Sequence, residues 1–235
     1  MKGKKKSSLH RKAVKPEQKK QVHTKQKAVL LLPQVSFGPE SKGRSPKMAI
    51  LAAFAFVILI ASLNYATGAL TFTAKLPFFF DTWATSAAAM VGGLWAGVVG
   101  GLIYNLFMAY TTWGSPQWVW AFSSMWVAFA TWMLYKDKWI SIHNPRKLLA
   151  AGAVIGVTNT FIVFSISLLA FGRVPDYSST MFIQDAFRSW FGNTAIASFV
   201  ETLIVNLADK IISITVAAAV VAYVPANYKA YFHRV

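Results

Sequence analysis

Along the chain the apolar residues gather into five long blocks, near residues 48–70, 82–112, 117–135, 148–171 and 194–224, with charge, proline and glycine concentrated between them. Blocks of this length and apolarity predict membrane-crossing helices. The second block is too long for one crossing. Its 31 residues would make a helix of about 46 Å, against a hydrocarbon core of about 30 Å. Gly92 and Gly93 fall near its middle, where a helix breaks most easily. Divided there, into residues 82–90 and 95–110, it brings the helix count to six.

Loop charge supports the even number. Residues 136–147 carry Lys136, Lys138, Arg146 and Lys147 and belong in the cytoplasm, as does the basic N-terminal region, so an even number of crossings separates the two. The predicted fold is therefore an all-α integral membrane protein: a six-transmembrane-helix bundle over residues 48–228, with a short cytoplasmic tail at 229–235. Both termini face the cytoplasm of a bacterial inner membrane. The first half of the divided block is short for a span, which predicts a helix tilted or half-buried among its neighbours.

Composition agrees with the hydropathy pattern, with 55% hydrophobic and 14% charged residues and a mean hydropathy of +0.44. The net charge of +16 resembles a nucleic-acid signal until it is mapped. Fourteen of the 24 basic residues lie within residues 1–47, against Glu17 and Glu40 alone. That stretch cannot bury enough apolar surface to offset the entropy of ordering it. It reads as a disordered basic cytoplasmic tail that rests on anionic lipid, each basic residue contributing about 1 kcal/mol. No aromatic side chain interleaves the bases before Phe37, so no specific nucleic-acid partner is expected.

Catalytic chemistry has little to build on. The chain has no cysteine, which excludes disulfides, thiolate metal sites and thiol nucleophiles. His10, His23, His143 and His233 all fall in tails or cytoplasmic loops, and neither a nucleophile elbow, a zinc-binding helix motif nor a phosphate loop occurs. No catalytic residue, metal or cofactor is expected. Any ATP-driven step belongs to another chain.

The segments predicted on the outer face are chemically richer. The first offers Lys75, three phenylalanines, Asp81 and Trp83; the second offers Gln117, Trp118 and Trp120; the third offers Arg173, Gln184, Asp185 and Trp190. Aromatic walls with a few fixed polar groups suit a small-molecule pocket, although aromatic belts also collect at membrane interfaces. Residues 179–191 have the spacing of an amphipathic helix lying over that surface as a lid. In the last helix Glu201, Asn206, Asp209 and Lys210 must face the bundle interior or a wet cavity, where they either fix the bundle or meet a ligand. Asn64, Asn105 and Asn159 carry the same two readings.

Pro77-Phe78-Phe79-Phe80-Asp81-Thr82-Trp83-Ala84-Thr85, then Gly93-Leu94-Trp95-Ala96-Gly97-Val98-Val99-Gly100-Gly101 and Asn105, resembles the first outer loop and third helix of the membrane-embedded substrate-binding (S) components of energy-coupling factor (ECF) transporters. Glu201, the run Ala208-Asp209-Lys210-Ile211-Ile212 and the closing Val224-Pro225 resemble the last helix of the same group. The resemblance spans roughly residues 48–228 and implies a subunit that captures a vitamin-like small organic substrate outside the cell. A transmembrane coupling protein and ATPase subunits would be its partners. Asp81, Asn105, Trp118, Asn159 and Glu201 are the candidate substrate contacts. Ala49 and Ala53, four residues apart, match the small-residue docking face of the first helix. The metal-carrying members use an N-terminal histidine, which has no counterpart on the membrane side here. Membrane sensor domains of some histidine kinases carry similar segments. A ligand-sensing, adaptor or structural subunit is thus the alternative.

Overall fold

The computed structural model describes residues 46–175 and 179–225. The basic segment expected to be disordered and the tail at 229–235 lie outside the described residues, apart from the start of the first helix. Seven α-helices occur among the described residues: α1 (Pro46–Thr73), α2 (Trp83–Val91), α3 (Gly93–Met108), α4 (Ala121–Lys136), α5 (Pro145–Phe171), α6 (Met181–Phe191) and α7 (Thr194–Tyr223). A π-helical turn at Ala109–Trp113 and a 3-10 turn at Ser115–Trp120 join α3 to α4.

Four of these segments are long and apolar enough to cross a membrane: Ile50–Thr73, Gly93–Thr112, Pro145–Phe171 and Thr194–Tyr223. The protein thus has the helices of a multi-pass membrane protein. A helix stands in each of the six expected segments, and the seventh, α6, is the amphipathic one. Six full crossings do not follow directly, because α2 has nine residues and is about 14 Å long.

The long block breaks where the glycines stand. Gly93 adopts φ +80°, in the left-handed region that suits glycine. Eight of the nine α2 residues are buried, nearly all of them small. That composition lets α3, α4 and α7 close around α2. A Cβ on Gly97 would stand 2.8 Å from the Ala89 Cβ and 2.9 Å from the Ala128 Cβ, so α3 passes between α2 and α4 with no room for another methyl. Gly152 and Gly156 do the same for α5, where a Cβ would lie 2.8 Å from the Ile211 Cα and 2.9 Å from the Leu207 Cα of α7.

Lipid-type residues cover the outside of the helices, among them Ile50, Phe54, Leu59, Trp95, Phe161 and Leu169, all exposed. Polar side chains turn inward and bond between helices. Asn64 of α1 donates to Thr85 Oγ1 (2.7 Å) and accepts from the Ala84 N–H (3.2 Å), capping α2 from outside, since Thr82 makes no side-chain cap of its own. Thr131 of α4 donates to Ser86 Oγ of α2 at 3.2 Å.

The core is apolar at one end and polar at the other. Met90, Val127, Ile140, Leu148, Ile155, Ile214 and Val221 pack into a dry cluster beside the loop between α4 and α5. The opposite end is held open. There the chain after α1 does not turn back at the helix tip but enters the bundle as irregular backbone before α2 begins. Asp81 reaches Tyr104, nine residues and about 14 Å before the end of the π-helical turn. Non-helical backbone inside a membrane bundle is tolerated only where protein or a wet cavity satisfies it. Both occur here, and this descent explains why α2 is short.

Candidate functional site

The first loop is pinned at three successive points. Thr71 Oγ1 donates to the Phe79 carbonyl (2.6 Å), the Phe80 N–H donates to Asp209 Oδ1 (2.6 Å), and Lys210 Nζ donates to Thr82 Oγ1 (2.9 Å). Phe80 holds φ +50° and Lys75 φ +51°, a left-handed geometry that costs a non-glycine residue about 1–2 kcal/mol. The bonds from α1 and α7 stabilise that bend. Asp209 and Lys210 also form an ion pair, the one ion pair among the described residues, and both are almost fully buried. Sequence reasoning left open whether they fix the bundle or meet a ligand. In the structure they pair with each other and grip the loop.

Above this clamp lies a cavity of about 770 Å³, within the range of small-molecule sites. The three segments expected together on one face surround it: Lys75, Phe78 and Phe79 from the first, Gln117 and Trp120 from the second, Arg173 and Pro175 from the third. Inside, the wall is polar and ordered. Asn105 donates to the Gly101 carbonyl and to Ser124 Oγ, both at 2.8 Å, which fixes the amide and leaves its oxygen as an acceptor. Ser123 donates to Asn159 Oδ1 (2.8 Å), Asn159 to Asn206 Oδ1 (2.9 Å), and Asn206 to the Thr202 carbonyl (3.0 Å), a relay from α4 through α5 to α7. Tyr104 donates to Asp81 Oδ2 at 3.2 Å, and Gly68 leaves the space, since a Cβ there would stand 2.9 Å from the tyrosine oxygen. Trp120 is set by a bond to Gln117 Oε1 (2.5 Å) and stacks on Phe171 with centroids 5.6 Å apart.

Of the five candidate contacts, the structure brings Asp81, Asn105 and Asn159 to the cavity. Trp118 stands 45% exposed and tilts against Phe122; Trp120, two residues on, takes the wall. Glu201 is 1% exposed and does not line the cavity. It accepts from Thr180 at the start of α6 and thereby ties α6 to α7. Gln184 of α6 and Ser198 of α7 both donate to the Pro175 carbonyl, at 3.4 and 2.8 Å, so the loop after α5 is held at the rim from two sides. Ala53 is partly buried on α1, whereas the side chain of Ala49 lies outside the described residues.

Tyr104, Asn206 and Lys210 were not among the expected contacts, yet all three line the cavity. A signal for two of them exists in the sequence. Ser198, Thr202, Asn206 and Lys210 repeat every four residues and so share one face of α7. Glu201 and Asp209 lie beside that stripe. Comparison with protein families, curated proteins and solved structures finds no match to this chain.

Proposed function

We propose that this chain is the substrate-capture subunit of an ECF-type uptake system. It holds a small vitamin-like organic molecule at the outer face of a bacterial inner membrane and relies on separate coupling and ATPase subunits to release it inward. The observation that carries this reading is the cavity of about 770 Å³ at one end of the apolar bundle, bounded by three loops and by Asp81, Asn105, Asn159 and Lys210. Its lining combines aromatic surface with fixed polar groups, the composition of a ligand site. The opposite end is dry and packed, which suits a capture protein and not a channel.

In this reading α1, α2, α3, α4, α5 and α7 make six crossings, α2 being completed by the descending loop. Asp81, Asn105 and Asn159 meet the substrate, α1 docks on the coupling protein through the face of Ala49 and Ala53, and the basic tail rests on anionic lipid. The test is to purify the protein in mild detergent, release bound small molecules by denaturation and identify them by mass spectrometry. A single enriched compound that rebinds one-to-one in calorimetry is the expected result. No enriched compound, and no binding from extracts of the expressing cells, would count against capture.

A further inference from the structure

The charges at the inner wall of the cavity do not balance, Asp209 and Lys210 being buried and Asp81 partly buried. Lys210 is already satisfied by Asp209 and by Thr82. Among the described residues Asp81 has no cation within ion-pairing distance, and its bond from Tyr104 engages one oxygen. The charged groups close enough to act on it are Lys210, which attracts, and Asp209, which repels. This inner group holds two carboxyl groups and one ammonium, so that with both carboxyls ionised it lacks one positive charge, and an ionisable side chain without a counter-ion inside a membrane protein is costly and usually functional. A second acceptor faces the same space: Asn105 is 1% exposed, spends both N–H donors on the protein and keeps its oxygen for the cavity.

Lys75 and Arg173 also line the cavity, but both are exposed. Water and salt screen charges there, whereas interior charges act at lower dielectric and dominate selection. The aromatic walls at Phe78, Phe79 and Trp120 add faces that favour a cation and suit a flat ring.

We propose that the cavity is built for a cationic ring compound whose protonated nitrogen pairs with Asp81 and whose ring lies among these aromatic side chains, a reading that rests on the cavity being a ligand site. Asn105 accepts a second donor from the same molecule. Lys210 is a positioning residue: together with Asp209 it holds the loop that presents Asp81.

Three indole probes of nearly the same size separate the charges: tryptamine as the cation, tryptophol as the neutral compound and indolepropionate as the anion. Binding to the full chain in detergent is followed by calorimetry and by melting temperature at millimolar probe. Tryptamine is expected to bind at least ~10-fold more tightly than either of the others, as a charge-assisted bond requires. Asp81→Asn should bring tryptamine down to the level of tryptophol while the probe-free protein still melts cooperatively. If that variant fails to fold, the ranking of the three probes on the unaltered protein decides alone. Equal or tighter binding of indolepropionate or tryptophol, tryptamine binding unchanged in Asp81→Asn, or no binding of tryptamine would each overturn the inference. A co-purified neutral or anionic compound would overturn it while leaving capture intact; no bound compound together with no binding from extracts of the expressing cells would count against capture itself.

Discussion

At the scale of single residues the structure makes a distinction that burial alone does not. Asp209 and Lys210 are both interior, and their charges answer each other. Asp209→Asn keeps an oxygen to accept from the Phe80 N–H but strands the Lys210 ammonium, and breaking a buried pair from one side costs about 3–5 kcal/mol. The double variant Asp209→Asn/Lys210→Met removes the stranded charge and should recover much of that loss, since an apolar side chain of similar length is well tolerated in place of a buried ion. Denaturant melts of the two variants in the same detergent supply the comparison. A double variant no more stable than the single one would mean that Lys210 is not desolvated as its surroundings indicate. Asp81 presents the opposite case, a carboxyl group at the cavity wall with no ion-pair partner among the described residues. Its role is read through ligands and not through stability.

At the scale of elements the packing follows from small residues at four-residue spacing. Gly152 and Gly156 bring α5 against the backbone of α7, and the Gly156 site would place a new Cβ 2.9 Å from the Leu207 Cα. Helix propensity alone favours Gly156→Ala by about 1 kcal/mol, whereas overpacking costs about 1–3 kcal/mol. A lowered melting temperature is therefore expected, and a raised one would show that the two helices have room to part. Much of this level was legible in the sequence: the break at Gly92 and Gly93 and the amphipathic α6 both occur where expected. The irregular descent before α2 was not, because a short apolar helix and a half-span look alike until the partners of the loop are known. Phe79 and Phe80 bond to Thr71 and to Asp209, the latter 129 positions away. The site divides the same way. Asn105 and Asn159 were recognisable as polar residues in apolar blocks, and Asp81 as the carboxylate of the aromatic first loop. Tyr104 was hidden because tyrosine is common at membrane interfaces, and Glu201 stands nearer the expected outer end of the last helix than Asn206 and Lys210, whereas the bond from Thr180 holds it away from the cavity.

At the scale of the whole molecule the two ends differ in chemistry, and the proposed function depends on which way they face. The loops that bound the cavity are those after α1, after α3 and after α5. The loop between α4 and α5, with Lys136, Lys138, Arg146 and Lys147, adjoins the dry cluster. Under the proposed function the positive charge of that loop puts it in the cytoplasm and the cavity outside. The chain contains no cysteine, so single substitutions can be labelled without background. Leu76→Cys, in the first loop, and His143→Cys, in the basic one, both replace side chains exposed to solvent. An impermeant thiol reagent should label Leu76→Cys in intact cells and His143→Cys only after permeabilisation. The reverse result would turn the cavity to the cytoplasm and remove the capture reading. Labelling of both variants from outside would mean that an even number of crossings lies between the two loops, so that α2, short as it is, does not return the chain across the bilayer.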